Sequence, residues 1–312
     1  MELLLILTIL LAVLIIGTPI SFGLGFVAIA SICIFLDPIQ LMQLANVIYD
    51  TGTNVNQLVA PMFIFMAEIL VQGGVASNIF SVLSKWTRML RGGIAISTTL
   101  ACTVFAALCG SSPATAAAIG RVSIEEMTKR NYNPGFAAGT VAAGGTLGIM
   151  VPPSMAMIVF GVTTENSIAK LFIAGILPGL LISSAFIVYI ILRGIVQPAA
   201  VGAGKGQAKF KELEEPFTLK SFIKEALLVF PPVLLIVLIL SVIYTGAATP
   251  TEAAGIGAVG ALILLLVERR GSLPLSLART ILLRTTRTSA MMLFLIFGGL
   301  TLSYVVSYLG IA

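Results

Sequence analysis

Histidine is absent from the 312 residues, and the chain holds only three cysteines and one tryptophan. Without imidazole, the usual zinc, haem and Ser-His arrangements lack their ligand or base. Cys33, Cys102 and Cys109 stand inside apolar stretches without C-x-x-C spacing, so they read as small packing residues and not as ligands or a disulfide framework. No G-x-x-x-x-G-K-[ST] occurs, which leaves the chain without its own nucleotide-hydrolysing motif. Ser111, Ser112 and the scattered acids supply neither a paired nucleophile and base nor a metal site, so an enzyme is not expected. Charge is scarce as well: 10% of residues are charged against 58% hydrophobic, and the mean hydropathy is +1.08. A soluble domain cannot keep that much apolar surface from water.

What the sequence has is apolar runs, at 3–36, 58–70, 94–108, 136–160, 171–192, 226–244, 253–267 and 290–309. Most are near or below the roughly 20 residues that span a bilayer, which predicts an all-α polytopic membrane protein. The first run lacks a basic start and an A-x-A site, so no cleavable signal is expected.

The net charge of +5 is informative through its placement. All but one of the 18 Lys and Arg fall in four segments, around 85–91, 121–130, 193–224 and 269–287, and the exception is Lys170. The segments 37–57, 163–170 and 245–251 are otherwise free of basic residues. The positive-inside rule puts the first group in the cytoplasm and the second outside, and no nucleic-acid partner is implied. In 75–89, Ile79, Val82, Leu83 and Trp86 recur at helical spacing beside Lys85 and Arg88, which predicts an amphipathic helix in the cytoplasmic interface. A solvated connector is the alternative.

Segment 94–120 lies between two basic segments, yet it is too short for two crossings. It is therefore expected to enter the membrane and return, as a re-entrant hairpin. Its tip reads Gly110-Ser111-Ser112-Pro113-Ala114-Thr115, where glycine and proline break the helix and hydroxyls fall at membrane depth. The alternative, a single kinked span, contradicts the charge pattern. A second break is expected in Gly144-Gly145-Thr146 through Pro152-Pro153-Ser154, since paired prolines remove two backbone donors and the glycines weaken the helix. A packing kink is the alternative there. Irregular backbone in the bilayer must be buried or line a wet cavity, and broken helices aim free carbonyls and amides at one point. Such oxygens suit a hard cation, so tip and break are expected to face each other and hold Na+ through Ser111, Ser112, Gly145 and Thr146.

The run from Gly17-Thr18-Pro19 resembles the run from Ala248-Thr249-Pro250, each read as a threonine N-cap with proline at N1, and Glu252 completes a capping box with Thr249. The same offset carries Pro61-Met62-Phe63 to the neighbourhood of Met292-Leu293-Phe294. The two turns fall on opposite sides of the membrane, as inverted repeats require. The matching second hairpin would lie beyond Ala312, so the repeat is expected to be cut short.

Together, Ala60-Pro61-Met62-Phe63-Ile64-Phe65-Met66-Ala67-Glu68, the tip through Gly120, the stretch 144–154 and Ala174-Gly175-Ile176-Leu177-Pro178-Gly179-Leu180 resemble the large membrane (DctM-like) subunit of tripartite ATP-independent periplasmic (TRAP) transporters. The resemblance covers essentially the whole chain. It implies an inverted-repeat, elevator-type fold. It also implies a bacterial inner-membrane location, a small four-helix membrane subunit and a periplasmic substrate-binding protein as partners, and Na+-driven import of organic acids such as C4-dicarboxylates or sialic acid. No other cofactor is implied, and the remaining contact is membrane lipid. On this reading 1–74 are scaffold helices, 75–93 the interfacial helix and 94–192 the transport-domain hairpin, broken helix and following span. Residues 193–225 form a cytoplasmic linker and 226–312 the start of the second repeat. A related sodium-coupled anion carrier that needs no binding protein is the rival reading.

Overall fold

The computed structural model describes residues 2–87, 90–202, 219–269 and 271–311, the side chains of 219–224 excepted. Arg88, Arg270, residues 203–218 of the expected linker with Lys205, Lys209 and Lys211, and the side chains of Lys220 and Lys224 lie outside the described residues. The helices are α1 (Glu2–Ile15), α2 (Ile20–Phe35), α3 (Gln40–Thr53), α4 (Val59–Gln72), α5 (Val75–Thr87), α6 (Gly93–Cys109) and α7 (Ser112–Lys129). They continue as α8 (Pro134–Met150), α9 (Met155–Thr163), α10 (Ile168–Val196), α11 (Leu219–Tyr244), α12 (Pro250–Glu268) and α13 (Leu275–Tyr308). Short 3-10 turns at Val55–Leu58 and Pro198–Val201 precede α4 and follow α10. Among the described residues there is no strand. Among the described residues, six helical segments are long and apolar enough to cross a bilayer, and large apolar side chains such as Leu181, Val188 and Leu192 stand exposed on them. In water that exposure would be costly, whereas lipid is an equivalent solvent for it. The chain is a multi-pass, all-α membrane protein.

The hairpin is present. α6 and α7 pack against each other across a two-residue connection at Gly110-Ser111, and both pack on α8. The structure changes or adds four details. The second break is confined to 151–154, because Gly144, Gly145 and Gly148 remain helical in α8. The segment 37–57 contains α3, anchored where Tyr304 donates to Gln40 Oε1 at 2.6 Å and Gln40 Nε2 donates to Tyr308 Oη at 2.9 Å. Arg279, Arg284 and Arg287 belong to the continuous helix α13 rather than to a connector; its 34 residues reach about 50 Å, well beyond a hydrocarbon core of roughly 30 Å. Thr18 does not cap α2: its hydroxyl turns back to the Val13 carbonyl at 2.7 Å. Thr249 and Glu252 form the full capping box.

The stripe of α5 is used against protein. Val75, Ile79, Phe80 and Val82 are buried where α5 meets α6, α7 and α11, while Trp86 is at the exposed edge. Lys85 pairs with Glu225 of α11 at 2.8 Å.

The packing carries the repeat. If α2 corresponds to α12 and α4 to α13, the contact α2–α13 must be mirrored by α12–α4, and these are two of the most extensive helix contacts in the molecule. Both pairs run parallel. Phe22 packs on Phe294 with tilted rings whose centroids are 5.4 Å apart, and Ile32 and Val305 share one buried cluster. In the other pair Gly257 abuts Met66 and Gly73 abuts Leu265. In each pair a glycine permits the close approach: a Cβ on Gly298 would stand 2.5 Å from the Ser21 carbonyl oxygen, and one on Gly257 2.7 Å from the Met66 sulfur.

Candidate functional site

Gly110 ends α6 in the left-handed region, φ +60, with its amide donating to Ala106 O at 2.7 Å. Ser111 is extended, and α7 restarts at Ser112 with proline in its first turn. α8 stops at Met150, where Val151 turns extended, and α9 restarts after Ser154. The Pro152–Pro153 peptide is cis.

These two interruptions meet backbone to backbone. The Met155 amide donates to the Gly110 carbonyl at 3.0 Å. A Cβ on Gly110 would stand 2.5 Å from the Pro153 carbonyl oxygen and 3.2 Å from the Met155 nitrogen. The second arm lies on the glycines of α8: a Cβ on Gly148 would be 2.6 Å from the Ser112 nitrogen, and one on Gly145 2.8 Å from the Ala116 methyl. Ser112 Oγ points to the Thr146 carbonyl at 3.5 Å, the long limit of a hydrogen bond.

Four half-helix ends thus converge. The C-termini of α6 and α8 bring carbonyls that the helix leaves unpaired, and the N-termini of α7 and α9 bring amides. Ser154, between Pro153 and α9, is wholly buried, and its hydroxyl has no hydrogen-bond partner among the described residues. A buried hydroxyl without a partner is costly, so this oxygen is available to a ligand. Neutral oxygens dominate the set, and no cluster of three His, Cys, Asp or Glu exists among the described residues. That donor chemistry suits a hard monovalent cation and not a transition metal.

The expected residues divide. Gly110, Ser111, Ser112, Gly145, Pro153 and Ser154 are brought together by backbone contact, and Pro152 is buried beside them in the break. Thr146 is at the edge, exposed, its hydroxyl donating to Ala143 O at 2.6 Å. Pro113 is exposed. Thr115 is buried and faces the first arm, its Oγ1 3.1 Å from Cys109 Sγ. Gly144 faces Cys102 of α6, with a Cβ position 2.8 Å from that sulfur, so it seats the arm and not the tip. The reading missed Gly148, which makes the tightest approach of the α8 glycines to the tip, and Cys109, which braces it. The signal for Gly148 was present: Gly144, Gly145 and Gly148 occupy one helical face at spacings of one and four residues.

The sequence matches the family model for the "Tripartite ATP-independent periplasmic transporter, DctM component" over residues 7–312. It is 35% identical over 288 residues to a C4-dicarboxylate TRAP transporter large permease protein of Pseudomonas aeruginosa, covering 91% of this chain and 64% of that protein. A protein of the same description from Vibrio cholerae is 37% identical over 248 residues, 78% of this chain and 51% of its own length. A sialic acid TRAP transporter large permease protein, also from Vibrio cholerae, is 29% identical over 93% of this chain and 65% of its own. The chain therefore spans between about half and two thirds of the length of these relatives.

Proposed function

The chain belongs to the DctM component family of tripartite ATP-independent periplasmic transporters, and we propose that it serves in the large permease of a sodium-driven organic-acid importer in the bacterial inner membrane. The observation that carries this reading is the hydrogen bond from Met155 N to Gly110 O, which fuses hairpin tip and helix break into one site. At that site Na+ is held by carbonyls at the ends of α6 and α8 together with the Ser112 and Ser154 hydroxyls, and Thr146 lends its carbonyl. The substrate is a carboxylate, the class to which the C4-dicarboxylates and sialic acid named for two relatives belong; the amide ends of α7 and α9 suit its negative charge. No covalent chemistry is needed, so the protein is a carrier and not an enzyme.

In this proposal α6–α9, followed by α10, form the moving transport unit, and α2, α4, α12 and α13 the scaffold against which it slides. α4 meets α6 at the seam between them. A small four-helix membrane subunit and a periplasmic binding protein complete the system. The test is uptake by the complete permease, reconstituted with both partners in proteoliposomes under an imposed sodium gradient. Uptake should vanish when choline replaces sodium, and Gly110→Val should abolish it while leaving membrane insertion intact. Uptake that persists in choline would contradict sodium coupling.

A further inference from the structure

A cavity of about 530 Å³ opens between α8 and α10, away from the hairpin tip. Its α10 wall is one helical face, Phe186, Tyr189, Ile190 and Arg193, continued by Gln197 just past the helix end, and it grades from aromatic and apolar to polar. Its α8 wall is open because Gly139 and Ala143 are small, and among the described residues nothing lies within 4 Å of where a Gly139 Cβ would be. The polar end is firmly built: Asn133 N donates to Ala200 O at 3.1 Å, and Gly92 and Gly194 lie close against Ile190 and Val201. Among the described residues, Arg193 Nε is buried there without a hydrogen-bond partner and no ion pair involves Arg193. A cation in the last turn of α10 offsets the helix dipole, which accounts for the charge but not for the cavity beside it.

We propose that this groove is a binding site for an anionic phospholipid of the cytoplasmic leaflet, with its phosphate on Arg193 and an acyl chain along Phe186, Ile190 and the Gly139–Ala143 notch. The polar end is the end that the distribution of Lys and Arg assigns to the cytoplasm. Tyr189 is 56% exposed and its neighbours Leu192, Ile195 and Val196 are exposed as well, so the groove opens toward lipid. Basic pockets between membrane helices on that side select acidic headgroups. The site is separate from the ion site proposed above and does not depend on it.

The test is native mass spectrometry of the delipidated complete permease titrated with phosphatidylglycerol, phosphatidylcholine or inorganic phosphate. Phosphatidylglycerol should bind about fivefold more tightly than phosphatidylcholine, as expected for one interfacial cation. Arg193→Gln should remove that preference, and Gly139→Leu, placed in open space, should weaken both lipids while the melting temperature holds. Arg279→Gln, a cation elsewhere on the same side, should change nothing. The proposal is overturned if Arg193→Gln keeps the preference, if Arg279→Gln removes it equally, if Gly139→Leu leaves both lipids bound as before, or if inorganic phosphate displaces the lipid.

Discussion

At Gly148 a single methyl group decides whether the hairpin can sit on α8. The Cβ position is 2.6 Å from the Ser112 nitrogen and 2.7 Å from the Ser111 carbonyl carbon, backbone atoms that cannot rotate away. Gly148→Ala should therefore cost about 1–3 kcal/mol by overpacking and lower the melting temperature of the purified protein. Gly139→Ala, on the same helix with open space, should leave it unchanged or raise it slightly, since alanine is the better helix former by about 1 kcal/mol. Equal losses at both positions would mean that the approach at Gly148 is not close. The hydroxyls separate in the same way. Ser154 Oγ has no partner among the described residues, whereas Thr146 Oγ1 donates to Ala143 O. Ser154→Ala should raise the sodium concentration for half-maximal uptake by the complete permease several-fold, and Thr146→Ala should change it little. From the sequence these glycines read as weakness in a helix. In the structure they are contact surfaces, because what a missing Cβ permits depends on a neighbour that sequence position does not identify.

At the scale of elements, the two Thr-Pro turns look alike in sequence and differ in structure. Thr249 accepts the Glu252 amide and donates to its carboxylate, while Thr18 spends its hydroxyl on the preceding helix. Thr249→Ala should destabilise by about 1 kcal/mol, and Thr18→Ala by no more than a few tenths, read as shifts in thermal unfolding. The hairpin was legible because its basic flanks and its length cannot both be satisfied by a crossing. The second break was legible from Pro152-Pro153, although its extent was not. α3 escaped notice because its hydropathy is low. Its period was present all the same in Leu41, Leu44 and Ile48, which share a face, and Leu44 is buried against α2 and α13. The stripe of α5 was visible, but the partner of that stripe was not: tryptophan beside lysine suggests an interface, and only the fold places α6, α7 and α11 over Ile79 and Phe80.

At the scale of the whole molecule, the exchange of α2–α13 for α4–α12 gives the weak sequence repeat a physical form, and the charge pattern supplies the opposite orientations. The positive-inside rule predicts the sidedness. In a cysteine-free background, Trp86→Cys and Lys129→Cys should be labelled by an impermeant maleimide only from the cytoplasm, and Asn166→Cys only from outside. Labelling of positions 86 and 129 from opposite faces would turn α6–α7 into a crossing and remove the re-entrant hairpin. The central claim, that tip and break form one sodium site, is tested most directly by ligand-linked stability of the complete permease. A bound ion stabilises the folded state by RT ln(1 + [ion]/Kd), about 1.4 kcal/mol at ten times Kd. Sodium, and not potassium at equal ionic strength, should raise the melting temperature of the wild type, and Gly110→Val, which drives a side chain into the Pro153 carbonyl, should abolish the rise. An equal sodium-specific rise in Gly110→Val and wild type would contradict the account and place the ion elsewhere.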